Sequence, residues 1–196
     1  MAKTHWLFSR EAKEIIISMV ALSLVFSYPD ILSNPMFFFV SLLVLGVGFI
    51  GHEMMHRQVA RKYGFWAEYR MWPQGLLLAL LFAIASNGSI MFAAPGAVMF
   101  ASLNPLRKPN KKEIGKIGIA GTVFNLVVMS LFIIMNLMLP NRIFTYGAMV
   151  NGWLAFFNLI PFGPLDGRKV MVWSRVIWLV AIAGAVAGMA LVIFAF

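Results

Sequence analysis

Long apolar runs, separated by short polar and basic segments, make up most of the chain. A membrane-spanning helix needs about 20 such residues in succession. Four runs have that length, at residues 36–56, 117–139, 143–165 and 176–196. A fifth run, at 15–28, is shorter, but the long side chain of Lys13 can extend it toward the membrane surface. The pattern predicts an all-α polytopic membrane protein with about five to six transmembrane helices.

The apolar segment 74–100 differs from these runs because a Ser-Asn-Gly-Ser stretch and the Pro95-Gly96 pair interrupt it. Basic residues concentrate in the cytoplasmic loops of membrane proteins. If this segment does not cross the membrane and the N-terminus is cytoplasmic, the N-terminal tail and the loops at 57–70, 107–116 and 168–175 are cytoplasmic. They hold all but one of the 16 lysines and arginines. We therefore expect a re-entrant helix/β hairpin, with a short helix at about 74–86 and a strand at about 90–101.

Composition supports the membrane assignment, since 61% of the residues are hydrophobic, 12% are charged and the mean hydropathy is +0.86. Soluble domains carry about 25% charged residues. The length suits one domain, residues 1–196. Basic cytoplasmic loops account for the net charge of +9, so we expect a lipid bilayer and no nucleic acid as partner. Because cysteine is absent, any metal site uses His, Asp or Glu.

The segment Gly-His-Glu-Met-Met-His at 51–56 carries the clearest chemistry. His52 and His56 are four residues apart, so both project from one face of a helix, which is the spacing for two ligands on one zinc ion. Glu53 lies one residue further round the helix, where it can hold a water molecule and act as general base. Ionisable groups in a membrane span are costly and usually functional.

Asp166 is the preferred third ligand, because a catalytic zinc ion takes three protein ligands and keeps one position open. It follows Pro161 and Pro164, which prevent a regular helix, and we place it at the same membrane face as the two histidines. The alternative is a helix-end carboxylate that pairs with Arg168 or Lys169.

Other polar residues are weaker candidates for the site. Glu68 is the second candidate for the third ligand. Glu11 and Glu14 begin the first apolar run and are interpreted as charges next to the membrane. Asn125, in the middle of a predicted span, is interpreted as a bridge between helices.

The run Met-Phe-Ala-Ala-Pro-Gly-Ala-Val-Met-Phe at 91–100 is typical of a strand. The edge of such a strand can pair with an extended substrate segment, and packing within the hairpin explains the pattern equally well. Pro95 and Gly96 are the candidate substrate-binding residues here.

Three segments resemble the site-2 protease family of intramembrane zinc metalloproteases: 51–56, Gly-Ile-Ala-Gly-Thr-Val-Phe-Asn at 118–125, and Phe-Asn-Leu-Ile-Pro-Phe-Gly-Pro-Leu-Asp-Gly at 157–167. Their order and spacing match that family's catalytic core over about residues 36–170. The resemblance implies that zinc binds to His52, His56 and Asp166, with Glu53 as the base. It also implies that Asn158 holds substrate or stabilises the oxyanion. The residues alone allow Asn158 to be a helix cap or an interhelical hydrogen bond.

The expected function is that of a zinc endopeptidase in the cell membrane. It would hydrolyse peptide bonds in the transmembrane segments of other proteins near the cytoplasmic face, as in regulated intramembrane proteolysis. One alternative is a zinc transporter or another non-proteolytic metal-binding membrane protein, but the other predicted spans lack the His, Asp and Glu residues that line an ion path. A second alternative is an inactive scaffold, which the intact Glu53 disfavours.

Overall fold

The computed structural model describes residues 9–92, 94–104 and 106–196. This part of the chain is mostly helical and contains one antiparallel sheet of two strands. In chain order the elements are α1 (Arg10–Ser27), α2 (Met36–Lys62), β1 (Phe65–Met71), α3 (Pro73–Ala85), β2 (Gly96–Ser102), α4 (Lys111–Met138), α5 (Arg142–Asn158), α6 (Asp166–Trp173) and α7 (Arg175–Ala195). A short 3-10 turn at Asp30–Leu32 joins α1 to α2.

Three of the described helices, α2, α4 and α7, are long and apolar enough to cross a membrane. The other two predicted spans form shorter helices. Helix α1 has 18 residues and begins with a cluster of charges, and α5 has 17 residues. The prediction of a membrane protein is therefore supported, with three candidate spans where about five to six were expected.

Helix α5 ends at Asn158, seven residues before the end of the predicted run. Pro161 lacks the backbone N–H that an α-helix needs and disfavours helical backbone at the residue before it. The chain then turns into α6, which begins at Asp166. Gly167 makes this turn possible, because a Cβ atom at that position would clash with the Leu159 carbonyl. The turn brings the end of α5 close to the start of α6.

The predicted hairpin is present, with corrected boundaries. Helix α3 matches the expected 74–86, whereas β2 begins at Gly96 and not at 90. The expected loop at 57–70 is wrong, because α2 continues to Lys62 and residues 65–71 form β1, whose Phe65, Ala67 and Tyr69 are buried on one face. The register pairs Phe65 with Ser102 and Met71 with Gly96. The first and last residues of the hairpin therefore lie next to each other.

Helix α4 is central and contacts α2, α5, α6 and α7. Its approach to α2 depends on Gly51, where a Cβ atom would clash with the Phe124 ring. Gly48 makes room in the same way for Asn151 of α5, whose Oδ1 would lie 2.7 Å from an added Cβ. On its other side α2 packs against α1 and the sheet. This packing holds the end of α2 between α4, α6 and the hairpin.

Candidate metal centre

Three side chains converge at a buried point between α2 and α6. His52 and His56, one turn apart on α2, place their Nε2 atoms 2.9 Å from each other. Asp166 Oδ2, at the start of α6, lies 2.8 Å from His56 Nε2 and 3.5 Å from His52 Nε2. All three residues are buried. The structure thus brings together the residues that the sequence predicted as zinc ligands.

Hydrogen bonds on the far side of each ring determine which nitrogen faces the cluster. His52 Nδ1 donates to Asn125 Oδ1 at 2.5 Å, and His56 Nδ1 donates to the Ile117 carbonyl at 2.6 Å. A neutral imidazole that carries its proton on Nδ1 has a free lone pair on Nε2. Both lone pairs are therefore directed into the cluster, as metal ligation by histidine requires.

The orientation of the Asn125 amide is determined by its other contacts. Its Nδ2 donates to the Gly48 carbonyl and to Asn151 Oδ1, both at 3.0 Å. Because both partners are oxygens, the nitrogen must face them and the oxygen must face His52. Asn125 bridges three helices, as the sequence predicted, and it also orients the ring of a predicted metal ligand, which the sequence analysis did not anticipate.

This donor set fits a zinc ion. Two imidazole nitrogens and one carboxylate oxygen are typical of catalytic zinc. Ligand atoms at about 2.0–2.2 Å from a tetrahedral ion lie about 3.3 Å apart, and the separations here are 2.8, 2.9 and 3.5 Å. Acceptor atoms held this close repel one another unless a cation or a proton lies among them. The cluster needs only a few tenths of an ångström of expansion to hold the ion.

Gly121 on α4 makes room for the two histidine rings. A Cβ atom at this position would lie 2.6 Å from His52 Nε2 and would also clash with His56 Nε2. Both rings are fixed by their Nδ1 hydrogen bonds and cannot retreat freely. Helix α4 can close one side of the cluster because residue 121 has no side chain.

Glu53 lies beside the cluster and lines the same cavity. It is buried, and its Oε2 has no hydrogen-bond partner within the described part of the chain. Such unpaired buried oxygens are uncommon and often mark a catalytic group or a water site. The volume of the cavity that the centre of a water molecule can reach is about 20 Å³. This is enough for a water molecule and too little for a peptide. Glu53 is thus placed to accept a proton from a water molecule.

The two oxygens of Asp166 serve different partners. Oδ2 faces the histidines, and Oδ1 accepts from Lys169 Nζ at 2.8 Å. Burial alone would raise the pKa of Asp166, and the positive charge of Lys169 beside Oδ1 lowers it. Burial would lower the pKa of Lys169, and the carboxylate raises it. The helix-end ion pair considered as an alternative therefore coexists with an ionised carboxylate that can bind metal.

The remaining predicted site residues lie at different distances from the cluster. Asn158 and Gly96 line the cavity. Asn158 Nδ2 donates to the Leu154 carbonyl at 2.9 Å, so its oxygen is the atom left for another group. Pro95 is buried, its carbonyl accepts from the Trp72 N–H at 2.8 Å, and it is not among the described residues that line the cavity.

Glu68, the second candidate for the third ligand, lies on β1 and pairs with Arg70, with 2.8 Å between Oε2 and Nη2. The cluster of possible ligands in the described residues contains Asp166 and not Glu68. The residues that sequence reasoning missed, Gly121 and Asn125 in its orienting role, both lie in the 118–125 segment of the resemblance. That segment was the available signal, but it assigned neither residue a role.

Comparison with known proteins identifies two relatives, both from Methanocaldococcus jannaschii. "Putative zinc metalloprotease MJ0611" is 39% identical over 176 residues, which cover 86% of this chain and 87% of that protein. "Zinc metalloprotease MJ0392" is 26% identical over 163 residues, which cover 81% of this chain and 41% of that protein. No family model and no solved structure matches the chain. The extent of the first match, together with a site that fits zinc, places this chain in the zinc metalloprotease family to which MJ0611 belongs.

Proposed function

We propose that this protein is an intramembrane zinc endopeptidase of the site-2 type, which hydrolyses peptide bonds in the transmembrane segments of other proteins. The observation that carries the proposal is the convergence of His52, His56 and Asp166, with Glu53 in the same buried cavity at the end of an apolar helix. The names of the two relatives support the zinc metalloprotease part of the proposal.

The chain's own residues have separate roles in this reaction. Zinc held by His52, His56 and Asp166 would supply a Lewis acid that polarises the scissile carbonyl and makes water a nucleophile at neutral pH. Glu53 takes the water proton and passes it to the leaving amine. The free oxygen of Asn158 can accept a hydrogen bond from the substrate backbone. Asn125 and the Ile117 carbonyl hold the histidine rings in the ligating tautomer.

We further propose that α1 and α5 cross the membrane together with α2, α4 and α7. At a rise of 1.5 Å per residue, α1 and α5 reach roughly 26 Å, so local thinning or long flanking side chains would complete the crossing. Helix α3 reaches about 20 Å and is too short to span about 30 Å of hydrocarbon. The pairing of Phe65 with Ser102 brings the two ends of the hairpin together. We place that end on the cytoplasmic side of a cell membrane, because basic residues favour that side.

Substrate entry requires a local opening, because the cavity is too small for a peptide. A helical substrate also hides its backbone in hydrogen bonds, so it must unwind before attack. An extended segment can then pair with the outer edge of β2, whose Gly96, Ala97 and Val98 line the cavity. This arrangement places the substrate backbone beside Glu53.

The test compares wild type with Glu53→Gln, both loaded with zinc and reconstituted in phosphatidylcholine vesicles. The probes are single-span peptides that carry a glycine or proline near one end of the apolar segment. We expect wild type to cleave at least one peptide and the variant to retain zinc and lose about 10²–10⁴-fold in rate, because the general base is gone. Wild-type rates in the zinc-loaded variant would overturn the proposal, and so would zinc flux without any peptide product, which a transporter predicts.

A further inference from the structure

The outer edge of β1 is occupied by two carboxylates from α1. The Tyr69 N–H donates to Glu11 Oε1, and the Met71 N–H donates to Glu14 Oε2, both at 2.9 Å. Hydrogen bonds of backbone N–H groups to carboxylates are among the stronger ones in proteins. The sequence analysis interpreted both glutamates as charges next to the membrane, but they bind the edge of the sheet.

These two contacts also show which way β2 faces. In an antiparallel pair, opposed residues either exchange both backbone hydrogen bonds or direct all four groups outward. Because the Tyr69 N–H points away from β2, its partner Val98 also directs its N–H and C=O outward, and so does Gly96 opposite Met71. Gly96, Ala97 and Val98 of β2 line the same cavity as Glu53, so this strand lies beside the proposed general base.

Further contacts make this attachment rigid. Glu11 is buried and also pairs with Arg57 of α2, with 3.2 Å between Oε2 and Nη2. Ser18 of α1 accepts from the Tyr69 hydroxyl at 2.8 Å. Glu11, Glu14 and Ser18 are three and four residues apart, so they lie on one face of α1. One stripe of this helix therefore holds the C-terminal part of β1, at Tyr69 and Met71.

We propose that Glu11 and Glu14 are positioning residues for proteolysis, and this proposal rests on the proposed function. Their carboxylates accept from the Tyr69 and Met71 N–H groups on the outer edge of β1 and fix the sheet to α1 and α2. The β2 edge is then the edge of the described sheet that is left for an extended substrate, at a set position relative to Glu53. Which peptide bond of a paired substrate reaches the reactive centre depends on this position.

The experiment compares Glu14→Ala, Glu14→Gln and Glu68→Gln with wild type, using a single-span peptide that wild type cleaves in vesicles. Glu68 is the matched control, because it lies on the same strand but pairs with Arg70 and not with a backbone N–H. Glu14→Gln retains an oxygen that can accept from Met71. The measurements are kcat per bound zinc, KM, and the cleaved bonds identified by mass spectrometry.

We expect Glu14→Ala to lower kcat per bound zinc about 10- to 100-fold, since small misplacements of reacting groups cost that much. KM should change little. Additional neighbouring peptide bonds should be cleaved, because the β2 edge is no longer held at a single position relative to Glu53. Glu14→Gln should recover most of the rate and the single bond, and Glu68→Gln should match wild type.

Two results would overturn the positioning role. One is a Glu14→Ala protein with the rate and cleaved bond of the Glu68→Gln control. The other is a lower yield of zinc-loaded protein with the same single bond cleaved, which indicates a purely structural contribution. Wild-type cleavage in the same assay separates either result from a failure of the proposed function.

Discussion

Gly121→Ala adds a single methyl group and directly tests the geometry of the metal centre. The added methyl group would lie 2.6 Å from His52 Nε2 and would clash with His56 Nε2. An ordinary contact between such atoms is about 3.5 Å, so each ring must retreat by roughly 1 Å. The rings cannot move that far without losing their Nδ1 bonds to Asn125 and to the Ile117 carbonyl.

The expected cost follows from those two hydrogen bonds. Loss of one partner that orients a metal ligand typically lowers metal affinity about 10- to 100-fold. If the two rings contribute independently, zinc affinity falls about 10²–10⁴-fold, or about 3–5 kcal/mol. Helix content should change little, because alanine favours helix more than glycine does.

The assay is competition for zinc with a chelator of known affinity, together with the zinc content of the purified protein. Gly184→Ala is the control, because a Cβ atom at position 184 on α7 meets nothing within 4 Å. This variant should bind zinc like wild type. Equal zinc affinity in the Gly121 and Gly184 variants would refute the inference that the two Nε2 atoms form the metal site beside α4.

Three further substitutions test other parts of the account. Asn125→Ala should weaken zinc binding about 10- to 100-fold by releasing His52, while Asn136→Ala, on the same helix near its other end, should leave zinc binding intact; chelator competition distinguishes them. Asp166→Ala should yield protein without tightly bound zinc, whereas Glu68→Ala should retain it, and metal analysis showing the reverse would make Glu68 the ligand. Cysteine labelling should find Lys62→Cys, Lys112→Cys and Arg168→Cys on one side of the membrane and Arg142→Cys on the other; labelling of position 112 on the side opposite to position 62 would mean that residues 74–100 cross.

The histidine pair could be predicted from sequence because its geometry is local. A four-residue spacing places His52 and His56 on one helix face in any α-helix, and the structure has them there. Asp166 could be predicted because acidic residues are few and prolines break the helix before it. The structure agrees with its preference over Glu68, because the turn after α5 brings Asp166 to the two histidines of α2.

The parts that escaped prediction depend on contacts between distant segments. Strand β1 does carry an alternating pattern, with Phe65, Ala67 and Tyr69 buried, but its charged residues were counted as loop charges. Nothing near Glu11 in sequence indicates that it binds a strand 58 residues later. The role of Asn125 likewise appears only when α4 packs beside His52, 73 residues away along the chain.

The most direct test of intramembrane proteolysis is the mass of the products formed by the zinc-loaded wild-type protein. Single-span peptides are incubated with the enzyme in sealed vesicles and analysed intact. We predict two fragments whose masses add up to that of the substrate plus one water. The cleaved bond should lie inside the apolar segment, near the membrane face at which Lys112 lies. Intact peptides, with zinc bound to the protein or carried into the vesicles, would contradict the assignment as an intramembrane endopeptidase.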